Sequence, residues 1–504
     1  MPHDLSQKAI ILLKKFIIFF TTRISMIGKE ALLGKQWVPL HQRDRLSFIH
    51  ILGIAAGNLA PGLLWMVIPT LFEPLASKLS VKSWVQTILL FYGSFAGFSI
   101  CPILGVYSDN STFRWGRRRI FFVIGLVFII IGLLMMTYCV QLGEFLSPHK
   151  PLPVQQTFYI LSYVVAVAAG NVVNEPVRAI CTDVTPLSQQ NLMANICSAF
   201  SSIGGILVNL IGGFKWYQYT SLGQEQFVLI ISIILCVISI VITCIVTPEE
   251  ALKEKPPKVN PFKEMYAAIK TMSVPFKRTI VSFYLAQVAY FQFSFQFSHF
   301  MGKEIFKGDN SLTAPEELQE LYIEGISWSM MCGAVRYSAQ LIWGFVNTRI
   351  SELIGFKATT ILGYALMAVG LLMFYFIDNK YVYLPIVFAI GIGFGTCMSI
   401  PFSIVSLSTP LKDFGANLGI MFMASVIGEQ TSNLGLGMAL GSTIWVDRPR
   451  MLIGLSGVIG VIATIAAFWV QQPIPPSENY LSLPNEGSTD ISTLNNYNNY
   501  NSNI

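Results

Sequence analysis

The chain has 504 residues, of which 53% are apolar and only 12% charged, with a net charge of +6, and its mean hydropathy is +0.58. A solvated surface needs about 25–35% charged residues, so this composition excludes a disordered chain and argues against a water-soluble enzyme. The apolar residues fall in blocks of membrane length, and the expected fold class is an all-α integral membrane protein.

Lysines and arginines number 33 against 27 acidic residues. They sit between the apolar blocks, which points to topology bias and not to nucleic acid. The eight cysteines show no paired short spacing, so neither a zinc site nor a disulfide framework is expected.

In chain order, residues 1–46 form a basic arm. Its apolar run at 10–20 is interrupted by Lys14 and Lys15, is too short to cross a bilayer, and lacks a clean cleavage site for a signal peptide. A cytosolic helix lying on the membrane surface, with its lysines toward anionic lipid, is expected there; a basic disordered arm is the plainer alternative. Twelve transmembrane helices are then expected, at 48–70, 85–107, 120–140, 156–180, 193–213, 226–246, 279–300, 323–346, 358–377, 383–405, 415–437 and 451–470. Pro61, Pro69, Pro102, Pro176 and Pro401 fall inside them, and prolines kink helices where a cavity is lined.

With both termini cytosolic, the cytosolic segments carry 22 Lys and Arg and the outer loops 9, in line with the positive-inside rule. The polar stretch 247–278 divides the chain into two six-helix halves, 47–246 and 279–470. The tail 471–504 is rich in Asn, Ser and Pro and reads as disordered. The sequon at 110–112 would face the cytosol and is not expected to be glycosylated.

Two turns stand at equivalent places in the halves. One has Asp109 followed by Arg114, Gly116 and Arg117; the other has Arg349 followed by Gly355 and Lys357. Such weak internal symmetry is expected of carriers built from two repeats. Asp109, Arg114 and Arg117 are gating candidates, through an ion pair made in one conformation and broken in another, or through headgroup anchoring. Plain topology signalling needs no gate.

Ionisable residues within spans are costly and are functional candidates by default. The fourth span carries Asn171, Asn174, Glu175 and Arg178, with Asp183 at its cytosolic end. Glu175 and Arg178 are three apart and so near each other on a helix. An arginine can fork onto solute hydroxyls or hold a carboxylate; a structural ion pair is the plainer reading. Glu429, in the eleventh span, could load a proton. Glu324 opens the eighth span and can simply mark its outer end. Arg336, mid-span, needs a partner. In the seventh span, aromatic residues alternate with Gln292, Ser294, Gln296 and Ser298. A strand edge is forbidden in lipid, so this segment should be a helix buried among others, with Gln292 and Gln296 as hydrogen-bond candidates for a polar solute and interhelical packing as the plainer reading.

The motif SDNSTFRWGRRRIF, the first span AAGNLAPGLLWMVIPTLFEPL, and GNVVNEPVRAICTDV in the fourth resemble the sucrose transporters of plants and their animal and protist relatives, within the major facilitator superfamily. FMGKEIFKGD, SIPFSIVS and LGIMFMASVIGEQTSNLG add to the resemblance, which covers about residues 48–470. It implies proton-coupled symport of sucrose or another small glycoside, with Arg178 in substrate binding or coupling. This chain departs from the pattern at His299, where the family has aspartate, at Glu175, where it has a neutral residue, and at Glu429, where it has glutamine. Histidine titrates near neutral pH but gains positive charge on protonation, so coupling through His299 would differ or be absent.

The expected protein is therefore a carrier for a small sugar, monomeric, surrounded by lipid, and placed in the plasma membrane or an acidic compartment. It needs no cofactor, the proton being co-transported. No Gly-rich phosphate loop is present, which argues against ATP-driven transport. A sugar sensor or uncoupled facilitator is the alternative. A membrane enzyme is disfavoured, because the five histidines are scattered.

Overall fold

The computed structural model describes residues 40, 43–109, 113, 116, 118–186, 189–247, 269–270, 272–311, 314–408, 414–438 and 448–471. The expected surface helix, the sequon, Arg114, Arg117, most of the linking stretch and the tail lie outside the described residues. Among the described residues the regular elements are all helical, as lipid demands, because a helix satisfies its own backbone polar groups.

The long helices are α1 (Phe48–Lys78), α2 (Ser83–Asp109), α3 (Arg119–Thr137), α4 (Pro151–Val184), α5 (Gln190–Gly213) and α6 (Gln224–Val246); a short helix, Cys139–Leu146, stands between α3 and α4. After the link come α7 (Val274–Phe300), α8 and α9 (316–354 and 356–376), α10 (Tyr383–Leu407), α11 (Phe414–Gln430) and α12 (Pro449–Ala467). Among the described residues, eight helical stretches are long and apolar enough to cross a membrane, with Glu316–Phe376 counted as one. The protein is thus a multi-pass membrane protein.

Local sequence explains several features. Prolines open α4, α7 and α12, where a missing N–H costs nothing. Pro61 has no N–H to give to the carbonyl four residues back, and α1 tightens into a 3-10 turn over Ala56–Asn58 just before it. The alternating segment of α7 is helical, and Gln292, Phe293, Phe297 and Ser298 on it are buried. Ile234, Ile238 and Ile242, one turn apart on α6, are exposed; such an apolar stripe suits contact with lipid better than with water.

Two apolar cores form. The first gathers α1 to α6, with Tyr322, Ile326 and Met330 of α8 added; the second gathers α7 to α12. Neighbour pairs α1–α5, α1–α6, α2–α4, α3–α4 and α3–α6 recur among the long helices as α7–α11 and α7–α12 and as α8–α10, α9–α10 and α9–α12. Small residues set the closest approaches. A Cβ added at Gly62 of α1 would lie 2.7 Å from the Ser201 Cα of α5, and one at Gly204 would lie 2.8 Å from the Leu63 nitrogen. Backbone packs against backbone at this crossing, as small residues allow in membranes.

The two turns that look alike in sequence share a backbone feature. Gly116 (φ 111°) and Gly355 (φ 83°) are the glycines with positive φ among the described residues. Gly355, with ψ 158°, lies in a region essentially reserved for glycine and turns α8 into α9 within one residue. Gly355→Ala is expected to cost about 1–3 kcal/mol and lower the thermal midpoint of the full chain in detergent. Gly344→Ala, at a helical site with open space around it, should not lower it; equal midpoints for the two variants would refute the assignment of strain to Gly355.

Candidate functional site

The two cores meet where α1 and α5 face α7 and α8. A small cavity lies there, lined by Trp65, Met66, Pro69 and Thr70 of α1, Asn209 of α5, Ser294, Phe297 and Ser298 of α7, and Ser329, Gly333, Arg336 and Tyr337 of α8. Its volume of about 20 Å³ admits about one water, so a sugar does not fit in this conformation. The lining combines hydroxyls, an amide, aromatic faces and a single charge. Helical backbone carbonyls hold several of the polar groups in place. Thr70 Oγ1 donates to the Met66 carbonyl at 2.7 Å, Ser329 Oγ to that of Ile326 at 2.7 Å, and Asn209 Nδ2 to that of Gly205 at 2.7 Å.

Arg336 is the charge. It is 9% exposed, and its Nη2 donates to the Tyr337 hydroxyl at 2.8 Å. Its guanidinium lies 4.3 Å from the Tyr337 ring centroid, 5.4 Å from that of Tyr290 and 5.9 Å from that of Phe293. Nη1 has no hydrogen-bond partner, and among the described residues no carboxylate pairs with the group. Ring faces attract a cation, but an unpaired buried charge still costs several kcal/mol. Sequence reasoning saw that Arg336 needs a partner and left it off the candidate site; its mid-span position was the available signal.

α4 distributes its polar residues unevenly. Asn171 is buried and gives Nδ2 to the Val167 carbonyl at 3.0 Å. Asn174 and Glu175 are half-buried, and Asn174 Nδ2 reaches Glu175 Oε1 at 3.5 Å. Glu175 and Arg178, near one another along the helix, form no ion pair with each other. Arg178 is exposed, and its guanidinium sits 5.6 Å from the Phe422 ring of α11. An exposed guanidinium stays hydrated, so it gains little by holding a neighbouring carboxylate.

Asp183 finds a cation in the α2–α3 turn. Arg118 Nε donates to Asp183 Oδ2 at 2.5 Å, and Arg118 Nη1 to Ser108 Oγ at 3.0 Å. This ties the α2–α3 turn to the end of α4. Asp109 ends α2, but its side chain lies outside the description. The sequence reading missed Arg118 because four arginines stand in one short turn, and sequence does not say which faces α4.

At the opposite end the two cores are bridged directly. Asn310 Nδ2 donates to the Pro74 carbonyl at 2.8 Å, and Gln224 Nε2 to Ser327 Oγ at 2.8 Å. His299 is buried there, with Nδ1 2.9 Å from the Tyr322 hydroxyl. Glu324 is half-buried near Tyr217, in the turn after α5, away from the cavity.

α7 and α11 are stitched by amides and hydroxyls. Gln287 Nε2 donates to Ser425 Oγ at 2.8 Å, and Ser432 Oγ to Gln292 Oε1 at 3.2 Å. Gln292 thus serves helix packing here, and it does not line the cavity. Gln296, one turn on, is half-buried without a hydrogen bond among the described residues. Glu429 of α11 lies beside Ser94 of α2 and Tyr163 of α4, with no ion pair among the described residues. No cluster of metal-ligating side chains occurs among the described residues.

This arrangement is similar to that of known proteins. A sucrose transport protein of rice, SUT5, is 22% identical over 463 residues, covering 82% of this chain and 86% of that protein. SUC4 of Arabidopsis thaliana, also a sucrose transport protein, is 22% identical over 467 residues, covering 82% and 89%. Human solute carrier family 45 member 4 is 26% identical over 156 residues, 31% of this chain and 20% of that protein. Among solved structures, a D-xylose-proton symporter superposes with a TM-score of 0.61 at 14% identity, covering 85% of this chain and 99% of that one. The nucleoside transporter NupG superposes with a TM-score of 0.58 at 12% identity, covering 83% and 98%. The family model described as Major Facilitator Superfamily matches residues 47–429. The chain belongs to the Major Facilitator Superfamily, whose members are multi-pass membrane transporters and not enzymes.

Proposed function

We propose that this chain is a proton-coupled symporter of a sugar or small glycoside. In this reading twelve transmembrane helices form two six-helix halves, 47–246 and 279–470, with both termini cytosolic. The halves rock about the cavity, opening it to one side at a time. The observation that carries the reading is the polar, aromatic-walled cavity with a buried arginine, enclosed where the two cores meet. A sugar needs such a lining: ring faces for its C–H surface, hydroxyls and amides for its hydroxyls. The six-helix recurrence of neighbour pairs supports the two-repeat arrangement, and the names of the sucrose and xylose carriers support the substrate class.

The residues take these roles. Trp65 and Phe297 offer ring faces, and Asn209, Ser294 and Arg336 offer hydrogen bonds. Arg178, exposed on α4, meets the solute on the cytosolic side, with Asn171, Asn174 and Glu175 behind it. Glu429 is the proton carrier, since a carboxylate between α2, α4 and α11 can be bared in one state and covered in another. Arg118–Asp183 braces the cytosolic end of the first half as it moves, and Asp109, Arg114 and Arg117 are the gating residues of the same stretch of sequence. Gln224–Ser327 and Asn310–Pro74 close the outer side, together with His299 and Tyr322. Gln296 is free to turn toward solute; Glu324 and Gln292 are structural. One observation favours a second reading, an uncoupled facilitator: His299 is engaged with Tyr322 at a position where an aspartate would carry negative charge.

In liposomes holding the full chain, an imposed pH gradient should drive accumulation of at least one member of a mono- and disaccharide panel. Equilibration without accumulation favours the facilitator, and no uptake of any member refutes the carrier reading. Glu429→Gln should keep sugar exchange between equal pools while its gradient-driven accumulation falls to about the equilibrium level; retained accumulation clears Glu429. Arg118→Gln and Asp183→Asn should each slow uptake, and the double variant should be no slower than the slower single. Additive losses would show that the two side chains act apart.

A further inference from the structure

Arg336 has more to say about the solute than its size or its hydroxyls. The residues lining the cavity include no carboxylate. Arg336 is about nine-tenths buried, its guanidinium lies near three aromatic rings and donates to the Tyr337 hydroxyl, and Nη1 has no hydrogen-bond partner. The hydroxyls of Ser294 and Ser298 also line the cavity and can donate as well as accept, whereas that of Ser329 already donates to the Ile326 carbonyl. A cavity meant only for neutral hydroxyls could be served by amides, without the cost of an unpaired buried cation.

We infer that the transported solute carries a carboxylate: an acidic sugar such as a uronate or aldonate, seated with its acid group on Arg336. This rests on the carrier reading and narrows its substrate class. The guanidinium presents donors in a planar fork that matches a carboxylate, and a solute acid would complete the ion pair that the protein leaves open. The hydroxyls of the solute then fall to Asn209 and the serines, and its ring to Trp65. A monoanion moving with one proton transfers no net charge, so the cation that stays on α8 is alternately paired and released as the solute comes and goes.

The test uses acid and amide pairs of equal shape. Uptake of D-glucuronate against D-glucuronamide, and of lactobionate against lactobionamide, is measured in liposomes holding the full chain, with glucose and lactose as neutral references. One acid should be taken up about tenfold or more faster than its amide at low concentration, the discrimination expected of a charge-assisted bidentate bond. Arg336→Gln should erase that preference, and Arg336→Lys should keep part of it. The wild-type comparison stands even if a variant fails to fold. Equal uptake of acid and amide, or faster uptake of the amide, with neutral sugars transported, overturns the inference and leaves the carrier reading in place. No uptake of any compound overturns both.

Discussion

A buried cation to which no carboxylate is paired among the described residues is the constraint on which the centre of this molecule turns. Arg336 is kept in place by three aromatic rings and one hydroxyl. Those rings are positioned in turn: Tyr290 lies stacked on Phe394 of α10, with centroids 3.5 Å apart, and Phe293 packs edge-on to Phe374 of α9. The second core is thus organised around the walls of a charged pocket as well as around apolar contact. Burial of a charge on this scale is tolerated only where the rest of the core is over-determined, and the dense aromatic packing of α7, α9 and α10 supplies that.

The polar contacts are unevenly divided between the two ends of the helices. At the end holding Pro74 and Ser327, hydrogen bonds cross from one core to the other. At the end holding Asp183, the strong pair lies wholly within the first core, and Arg178 and Phe422 are exposed. Bonds that cross between bodies resist their separation; bonds inside a body stiffen it and leave it free to move. The conformation described is joined at one end, and its polar groups at the other are spent on rigidity.

Much of this was legible in the sequence. The helical segments followed from apolar length, and the buried helix at α7 followed from the ban on strand edges in lipid. The internal repeat was read from a glycine beside cations in two turns, and those same glycines, Gly116 and Gly355, take positive φ. What escaped was the choice of partners. Asp183 meets Arg118, 65 residues away, and nothing in the local spacing says which of the turn's arginines faces α4. Glu175 and Arg178 share a helix face but do not bond, because exposure of the guanidinium depends on how α4 sits against α11. Burial of Arg336 by rings from α7 depends on the crossing of two helices, which no local pattern encodes.

The single-residue junction at Gly355 has a mechanical consequence. α8 carries Arg336 and meets α5 at Met330, Met331, Gly333 and Tyr337, whereas α9 meets α12 at Ala368 and Leu372. With no slack chain between them, a tilt of α8 cannot be absorbed in a loop and is passed on to α9, as in a bell crank pivoted on one pin. Lengthening that junction by a few flexible residues would leave both arms intact and disconnect them, so that the pocket and the far side of the second core no longer move as one.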